Sequence, residues 1–209
     1  RGGAVLSIPN PIDTKVYHPM DQGMARELLG LPLGKRLLLF GALNVTDKRK
    51  GIDYLIEALR RMEKQDVELV VFGQVKDDIR GLFPVPIHSM GYLSDESKIV
   101  ALYNAVDMFI TSSLEENLPN TIMESMACGT PCVGFEIGGI PEMIDHRVNG
   151  YVANYKDAGD LANGIQWVLE HEDRLALSDA CVKKVQENYT EEVVAKQYTA
   201  LYEKLLKGE

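Results

Sequence analysis

Residues 108–135 read Met108-Phe109-Ile110-Thr111-Ser112-Ser113-Leu114-Glu115-Glu116-Asn117-Leu118-Pro119-Asn120-Thr121-Ile122-Met123-Glu124-Ser125-Met126-Ala127-Cys128-Gly129-Thr130-Pro131-Cys132-Val133-Gly134-Phe135. The stretch begins and ends in apolar runs, 108–111 and 131–135, that do not alternate with polar residues. Such runs suit strands buried on both faces of a parallel sheet. Between them lies a loop of acids and amides, 112–120. A short helical segment, 121–128, follows and is stopped by Gly129 and Pro131. Strand, loop, helix and strand in this order make one parallel crossover, which is right-handed by the chirality of the chain.

The same alternation extends in both directions. Upstream, residues 37–41, 67–73 and 87–90 are further short apolar runs, and 150–152 is another downstream. Ile52, Leu55, Ile56, Leu59 and Met62 form a helical stripe. Ile99, Leu102 and Tyr103 form a second, with Ser94 as its expected cap and Asp95 and Glu96 in its first turn. Beyond residue 153 the pattern is helical throughout. Leu161, Ile165, Val168 and Leu169 lead it; then come Leu175, Val182 and Val185; then Val194, Tyr198, Leu201, Tyr202 and Leu205, with Thr190 as the last helix's cap.

Alternating strands and helices predict a doubly wound α/β fold, a mostly parallel six-stranded sheet with helices on both faces. The commonest strand order, 3-2-1-4-5-6, reverses between strands one and four. Ligands bind at the carboxyl ends of those two strands, so the loops 41–51 and 112–121 should carry the chemistry. The first thirty or so residues do not fit the alternation. Ile8-Pro9-Asn10-Pro11-Ile12-Asp13 is turn-rich and reads as a connector over 1–20 entering a domain over 21–209.

Bulk properties exclude several classes. The 209 residues carry a net charge of −9, which opposes binding to nucleic acid or an acidic membrane. No apolar run approaches the ~18 residues of a membrane span. Cys128, Cys132 and Cys181 show no framework spacing, fit a reducing cytosol and read as buried thiols; no histidine lies near the first two to support a metal site. The chain starts at Arg1-Gly2-Gly3, neither an initiator methionine nor a signal peptide, and is expected to be part of a longer protein.

The first loop ends in Asp47-Lys48-Arg49-Lys50-Gly51 at a helix N-terminus. Free N–H groups, the helix dipole and cationic side chains there suit a diphosphate. The charge run taken alone reads more simply as a solvated basic turn. Neither a G-x-G-x-x-G nor a Walker P-loop pattern is present. In the second loop Glu116 should sit in the crevice, with Glu124 on the following helix beside Ile122, Met123 and Met126. An ionised carboxylate accepts two hydrogen bonds from a vicinal diol, as in ribose or hexose. Two acids at this spacing also fit a glycosidase pair, although a neighbouring cationic site would then have no purpose. Glu124 near an apolar face needs a partner or a ligand. Gly138-Gly139 allows close backbone approach to a ligand, or is a plain turn.

With these residues in place, the chain resembles the C-terminal domain of glycosyltransferase family 4, retaining enzymes with the GT-B fold. The resemblance runs over nearly the whole chain. It rests on Ile8-Pro9-Asn10-Pro11-Ile12-Asp13, Lys50-Gly51, Gly91-Tyr92, Ala105-Val106-Asp107, Glu116-x7-Glu124, Met126-Ala127-Cys128-Gly129-Thr130-Pro131 and Gly138-Gly139-Ile140-Pro141-Glu142. It implies a Rossmann-like donor domain, one half of a GT-B enzyme, with the acceptor domain absent.

The resemblance also implies roles. Lys50, with Arg49, Lys48, Asn120 and Thr121, would hold the donor diphosphate. Glu124 would bind ribose. Glu116, with Asn117, Leu118 and Pro119, would face the hexose. Gly73, Gly91 and Tyr92 would lie beside the base. Glu116 and Lys50 would be the catalytic pair, with no metal or other cofactor. Many relatives carry an arginine where Ala42 stands, so Lys48 or Arg49 would supply that charge; Pro11 replaces a usual glycine. The implied partners are a nucleoside-diphosphate sugar and, through the missing N-terminal domain, an acceptor glycan or lipid-linked sugar. The expected setting is polysaccharide or glycan synthesis in the cytoplasm, free or peripheral at the membrane. A nucleotide-sugar 2-epimerase of related architecture and a non-catalytic sugar-nucleotide-binding domain are the rival readings.

Overall fold

The computed structural model describes residues 7–44, 47–62, 66–74 and 81–207. Residues 1–6 of the expected connector lie outside the described residues. Six parallel strands form one sheet: β1 (Arg36–Asn44), β2 (Val67–Gln74), β3 (Ile87–Gly91), β4 (Met108–Thr111), β5 (Cys132–Phe135) and β6 (Gly150–Ala153). Their order is β3-β2-β1-β4-β5-β6, as the alternation of elements predicts. The strands connect through α2 (Ile52–Arg61), α3 (Glu96–Ala105), α4 (Asn120–Ala127) and α5 (Ile140–Met143). Helices α6 (Ala158–Leu169), α7 (Arg174–Asn188) and α8 (Glu191–Lys207) complete the chain, and α1 (Gln22–Leu29) precedes the sheet.

The register explains why the strand sequences do not alternate. Leu38 pairs with Leu69 and Met108, and Phe40 with Val71 and Ile110, so these rows cross the sheet on one face. They pack against Leu55 and Leu59 of α2 and Leu161 and Ile165 of α6. Leu37, Leu39, Val70 and Phe109 point the other way, onto Leu102, Ile122, Met126, Cys181 and Val185. Both faces are therefore apolar, and each fully buried leucine or phenylalanine contributes about 1.5–3 kcal/mol.

Several local features differ from the sequence expectation. Helix α1 lies at the start of the expected domain, among the first thirty residues, where the sequence shows no helical pattern. Asp21 caps it by accepting from the Met24 amide, and Gly30 ends it in the left-handed region with φ 66°. Helix α3 is capped by Asp95, which accepts from the Ser97 amide, and not by Ser94. Asp has the ionised oxygen that favours the positive helix end. Helix α4 starts at Asn120, behind an extended Pro119. Thr190 does cap α8, its hydroxyl accepting from the Val193 amide.

Ahead of α1 the chain lies on the same core. Ile12 is buried, and its N–H donates to the Tyr189 carbonyl at 2.9 Å. Helix α8 buries only Val194, while Tyr198, Tyr202, Leu205 and Leu206 are exposed. Among the described residues no helix is long and apolar enough to cross a membrane.

Candidate functional site

The sheet order reverses between β1 and β4, and the loops leaving these two strands are stitched together. Asp47 accepts from the Arg49 amide at 3.0 Å and caps a single 3-10 turn, Lys48–Lys50. Gly51 follows with φ 61°, and a Cβ there would lie 1.9 Å from the Ser112 carbonyl oxygen. Only glycine permits both the backbone angle and this approach. The Arg49 carbonyl accepts from the Leu114 amide at 2.7 Å, and the Lys50 carbonyl from the Ser112 hydroxyl at 2.9 Å. Residue 50 is thereby fixed against the second loop, and Lys50 Nζ donates to Glu116 Oε1 at 2.6 Å.

A third loop braces the Glu116 segment from behind. The Gly139 amide donates to the Asn117 carbonyl at 2.6 Å. A Cβ on Gly138 would fall 2.0 Å from the Glu116 carbonyl oxygen, and one on Gly139 2.5 Å from Leu118 Cδ2. The paired glycines thus admit close approach of another stretch of backbone, and this packing sets the shape of the acid-bearing loop. The Tyr155 hydroxyl donates to the Leu114 carbonyl at 3.0 Å and holds its near side.

Between the loops lies a cleft of about 550 Å3. Asp47, Arg49, Lys50 and Glu116 give it a charged end; Phe72, Tyr92, Leu93 and Phe109 give it an apolar end; Gly41, Gly73, Thr111, Ser113 and Thr121 complete the wall. Lys50 and Glu116 are partly covered, with side chains 33% and 15% exposed. Asp47 and Arg49 form a second pair on the same wall, and the guanidinium holds the Asp47 carboxyl down at about 2. The charged end therefore carries two cations and two carboxylates, each matched to the other.

Glu124 does not line this cleft. It lies about one turn along α4 from Thr121, where it accepts from the Tyr103 hydroxyl at 2.8 Å. Tyr103 is buried, and its ring packs edge-on against Phe72 and Phe109 of the cleft wall. Burial pushes the Glu124 carboxyl above the usual carboxylate range; the Tyr103 hydrogen bond opposes this and the nearby Glu96 carboxylate adds to it. Burial likewise pushes the Tyr103 phenol far up. The acid near an apolar face does have a partner.

Of the residues singled out in the sequence, Arg49, Lys50, Gly73, Tyr92, Glu116 and Thr121 meet on the cleft wall. Asn117 shares an adjoining recess with Arg49, Lys50, Glu115 and Glu116. Lys48 is exposed and off the wall. Leu118, Pro119, Asn120 and Gly91 also stand outside it. Leu118 packs behind the loop on Gly139 and Pro119 starts α4, while Asn120 accepts from the Asn10 side chain. The side chain of Ala42 lies outside the described residues. Sequence reasoning missed Asp47, Tyr103 and the hydroxyl pair Thr111 and Ser113, whose Oγ atoms lie 3.2 Å apart.

Among the described residues no three or more His, Cys, Asp or Glu side chains are grouped to hold a metal. Cys128, Cys132 and Cys181 are buried thiols, and burial pushes the first two up to about 12. Among the described residues of the cleft wall the cations are Lys50 and Arg49.

Comparison with known proteins supplies a family. Residues 34–171, more than half of the chain, match the family model described as Glycosyl transferases group 1. The chain is 24% identical to the N-acetyl-alpha-D-glucosaminyl L-malate synthase of Bacillus anthracis over 98% of its own length and 55% of that protein. Among solved structures, the sucrose-phosphate synthase of Thermosynechococcus elongatus superposes with a TM-score of 0.80 at 24% identity, over 97% of this chain and 53% of that one. HepE of Anabaena, solved in complex with UDP-glucose, gives a TM-score of 0.79 at 22% identity, over 94% of this chain and 56% of that one. The chain thus spans about half the length of the relatives it matches, and these structural likenesses speak to the fold.

Proposed function

The chain belongs to the group 1 glycosyl transferases, and from that premise we propose that it is the donor-binding half of a retaining glycosyltransferase. It binds a nucleoside-diphosphate sugar for transfer of the hexose to an acceptor hydroxyl in glycan or polysaccharide synthesis. The observation that carries this reading is the Lys50–Glu116 contact of 2.6 Å inside a cleft at the reversal of strand order. The cleft also fits the donor's two chemistries, with a charged end for phosphate and hexose and an apolar end for a base. HepE, whose fold this chain shares, holds UDP-glucose in its crystal structure, which supports a donor of that class.

In this reading Lys50 and Arg49 neutralise the charge developing on the departing diphosphate, and no metal is needed. Glu116, already matched to Lys50, orients the hexose and steadies positive charge on its ring; it is not assigned as a covalent nucleophile. Departure and attack then occur on one face of the sugar, which retains its configuration. Glu124, one turn of α4 beyond Thr121 of the cleft wall, is the acceptor for ribose hydroxyls if the ribose extends past the lined cleft, with Tyr103 holding its other side. Residues 1–20 link to an acceptor-binding domain, onto which the exposed stripe of α8 packs. The full-length enzyme works in the cytoplasm, free or peripheral at the membrane.

The test is a thermal-shift panel of UDP, GDP and ADP sugars. A ligand that binds only the folded state adds about 2.7 kcal/mol at a hundred times its Kd, or ~5–10 °C for a domain of this size. One base should stand out. A flat panel across all three at millimolar concentration would remove the donor reading.

A further inference from the structure

We infer that Asp47 is a positioning residue for the donor diphosphate: it grips one edge of the Arg49 guanidinium and thereby presents the opposite edge to the cleft. The inference rests on the donor-binding reading and deepens it.

The geometry is specific. Arg49 Nε donates to both Asp47 oxygens at 3.1 Å, and Nη2 donates to Oδ2 at 2.7 Å. A guanidinium carries five N–H groups in a rigid plane. The Nε hydrogen and one Nη2 hydrogen are engaged here. The two Nη1 hydrogens and the second Nη2 hydrogen remain, and together they form the fork that matches two phosphate oxygens. Among the described residues no acceptor bonds Nη1. Asp47 and Arg49 both line the cleft, whereas Lys48 does not. Arg49 is therefore the cation that can join Lys50 at the charged end.

The backbone supports the same arrangement. Asp47 Oδ1 also accepts from the Arg49 amide, so a single carboxylate sets both the turn and the side chain. The Arg49 carbonyl is pinned to Leu114. The Arg49 side chain is 67% exposed, so the Asp47 contacts are what restrain it; a restrained side chain loses less freedom when a ligand arrives, and this raises affinity without a new contact.

The test turns on a sign. An acid beside an anion site repels the anion, so by charge alone Asp47→Asn should tighten diphosphate binding. A positioning role requires the opposite. Asn is as good a helix cap as Asp, so Asp47→Asn keeps the turn and removes only the ionic grip. The chain would be titrated calorimetrically with UDP, GDP and ADP and with the matching monophosphates. For the base that binds, Asp47→Asn is expected to weaken the diphosphate on the order of tenfold, the scale of one charge-assisted bond, and to change the monophosphate little. Arg49→Lys, which keeps the charge and loses the fork, should weaken it similarly. Adding Asp47→Asn to Arg49→Lys should then weaken binding no further and leave only the small gain from removing a like charge. Equal or tighter diphosphate binding by Asp47→Asn overturns the inference while leaving the donor reading in place. If no nucleoside diphosphate binds the unaltered chain, the donor reading falls and takes this inference with it.

Discussion

Strand β4 has a charged cluster at each end, and the two are built differently. At its amino end the Asp107 side chain, 2% exposed, accepts from Arg26 at 3.0 Å, from Arg174 at 2.5 Å, from Arg36 at 3.4 Å and from the Leu37 amide at 2.7 Å. Arg26 in turn donates to the carbonyls of Ala105, Leu33 and Lys35. At its carboxyl end Glu116 accepts, among the described side chains, from Lys50, beside an open cleft. The first cluster saturates the Asp107 carboxylate and the Arg26 guanidinium, both buried. The second pairs two groups that could each exchange the partner for a phosphate or a sugar hydroxyl. A saturated buried cluster specifies structure, and a minimally satisfied, partly wet pair is available for chemistry.

The sharpest way to break this comparison is to remove the acid at the amino end. Asp107→Ala leaves Arg26 charged, buried and without its carboxylate, which costs about 3–5 kcal/mol. For a domain of this size the melting temperature should fall by about 10 °C. Nucleotide affinity of the remaining folded protein should stay unchanged. A comparable loss of affinity would mean that the two ends are coupled through β4.

Lys50→Ala is the matching change at the other end. Its partner pair is partly solvated, so stability should change by no more than ~1 kcal/mol. Donor binding should collapse, because Lys50 is half of the cationic charge on the wall. Paired melting curves and titrations read both quantities. A fall in stability as large as that from Asp107→Ala would make the Lys50–Glu116 pair a structural strut.

How much of this was legible in the sequence follows the same division. Strand order and the position of the crevice could be read because β1, β2, β4 and β5 bury both faces, and continuous apolar runs report that directly. Lys50 and Glu116 could be placed because their loops had to leave the two strands at the reversal. Helix α1 could not be read from apolar periodicity, since its buried residues are Ala25 and Arg26 while Met24 and Leu28 are exposed. The available signal was Asp21 as cap and Gly30 as stop. Asp47 escaped notice because its role depends on which way the Arg49 side chain turns. Tyr103 sat correctly in a helical stripe, but periodicity reports a buried ring and says nothing of its hydroxyl. The glycines at 138 and 139 left two readings open, close approach to a ligand or a plain turn; they form a turn, approached by the Glu116 and Asn117 carbonyls and the Leu118 side chain.

Glu124 tests where the boundary between the two kinds of acid lies. It is partly buried, where Asp107 is fully so, and its side-chain partner is a neutral phenol. Burial raises its folded-state pKa above the ordinary 4.5, with Tyr103 opposing and Glu96 adding to the shift. For a raised carboxyl the favourable contribution is complete below the unfolded value and is lost as pH rises through the folded one. At neutral pH the charged form is therefore a liability to the fold. Glu124→Gln removes that charge and still accepts from Tyr103, so it should melt slightly higher than the unaltered chain at pH 7.5. The gain should shrink towards pH 4, where the native acid is protonated. The same substitution should weaken nucleoside-diphosphate binding, because a neutral amide oxygen accepts less strongly from a ribose diol than an ionised carboxylate does. A gain in stability with a loss of affinity places Glu124 with Glu116, as an acid held in the fold at some cost for what it binds. A variant that melts lower at both pH values places it with Asp107.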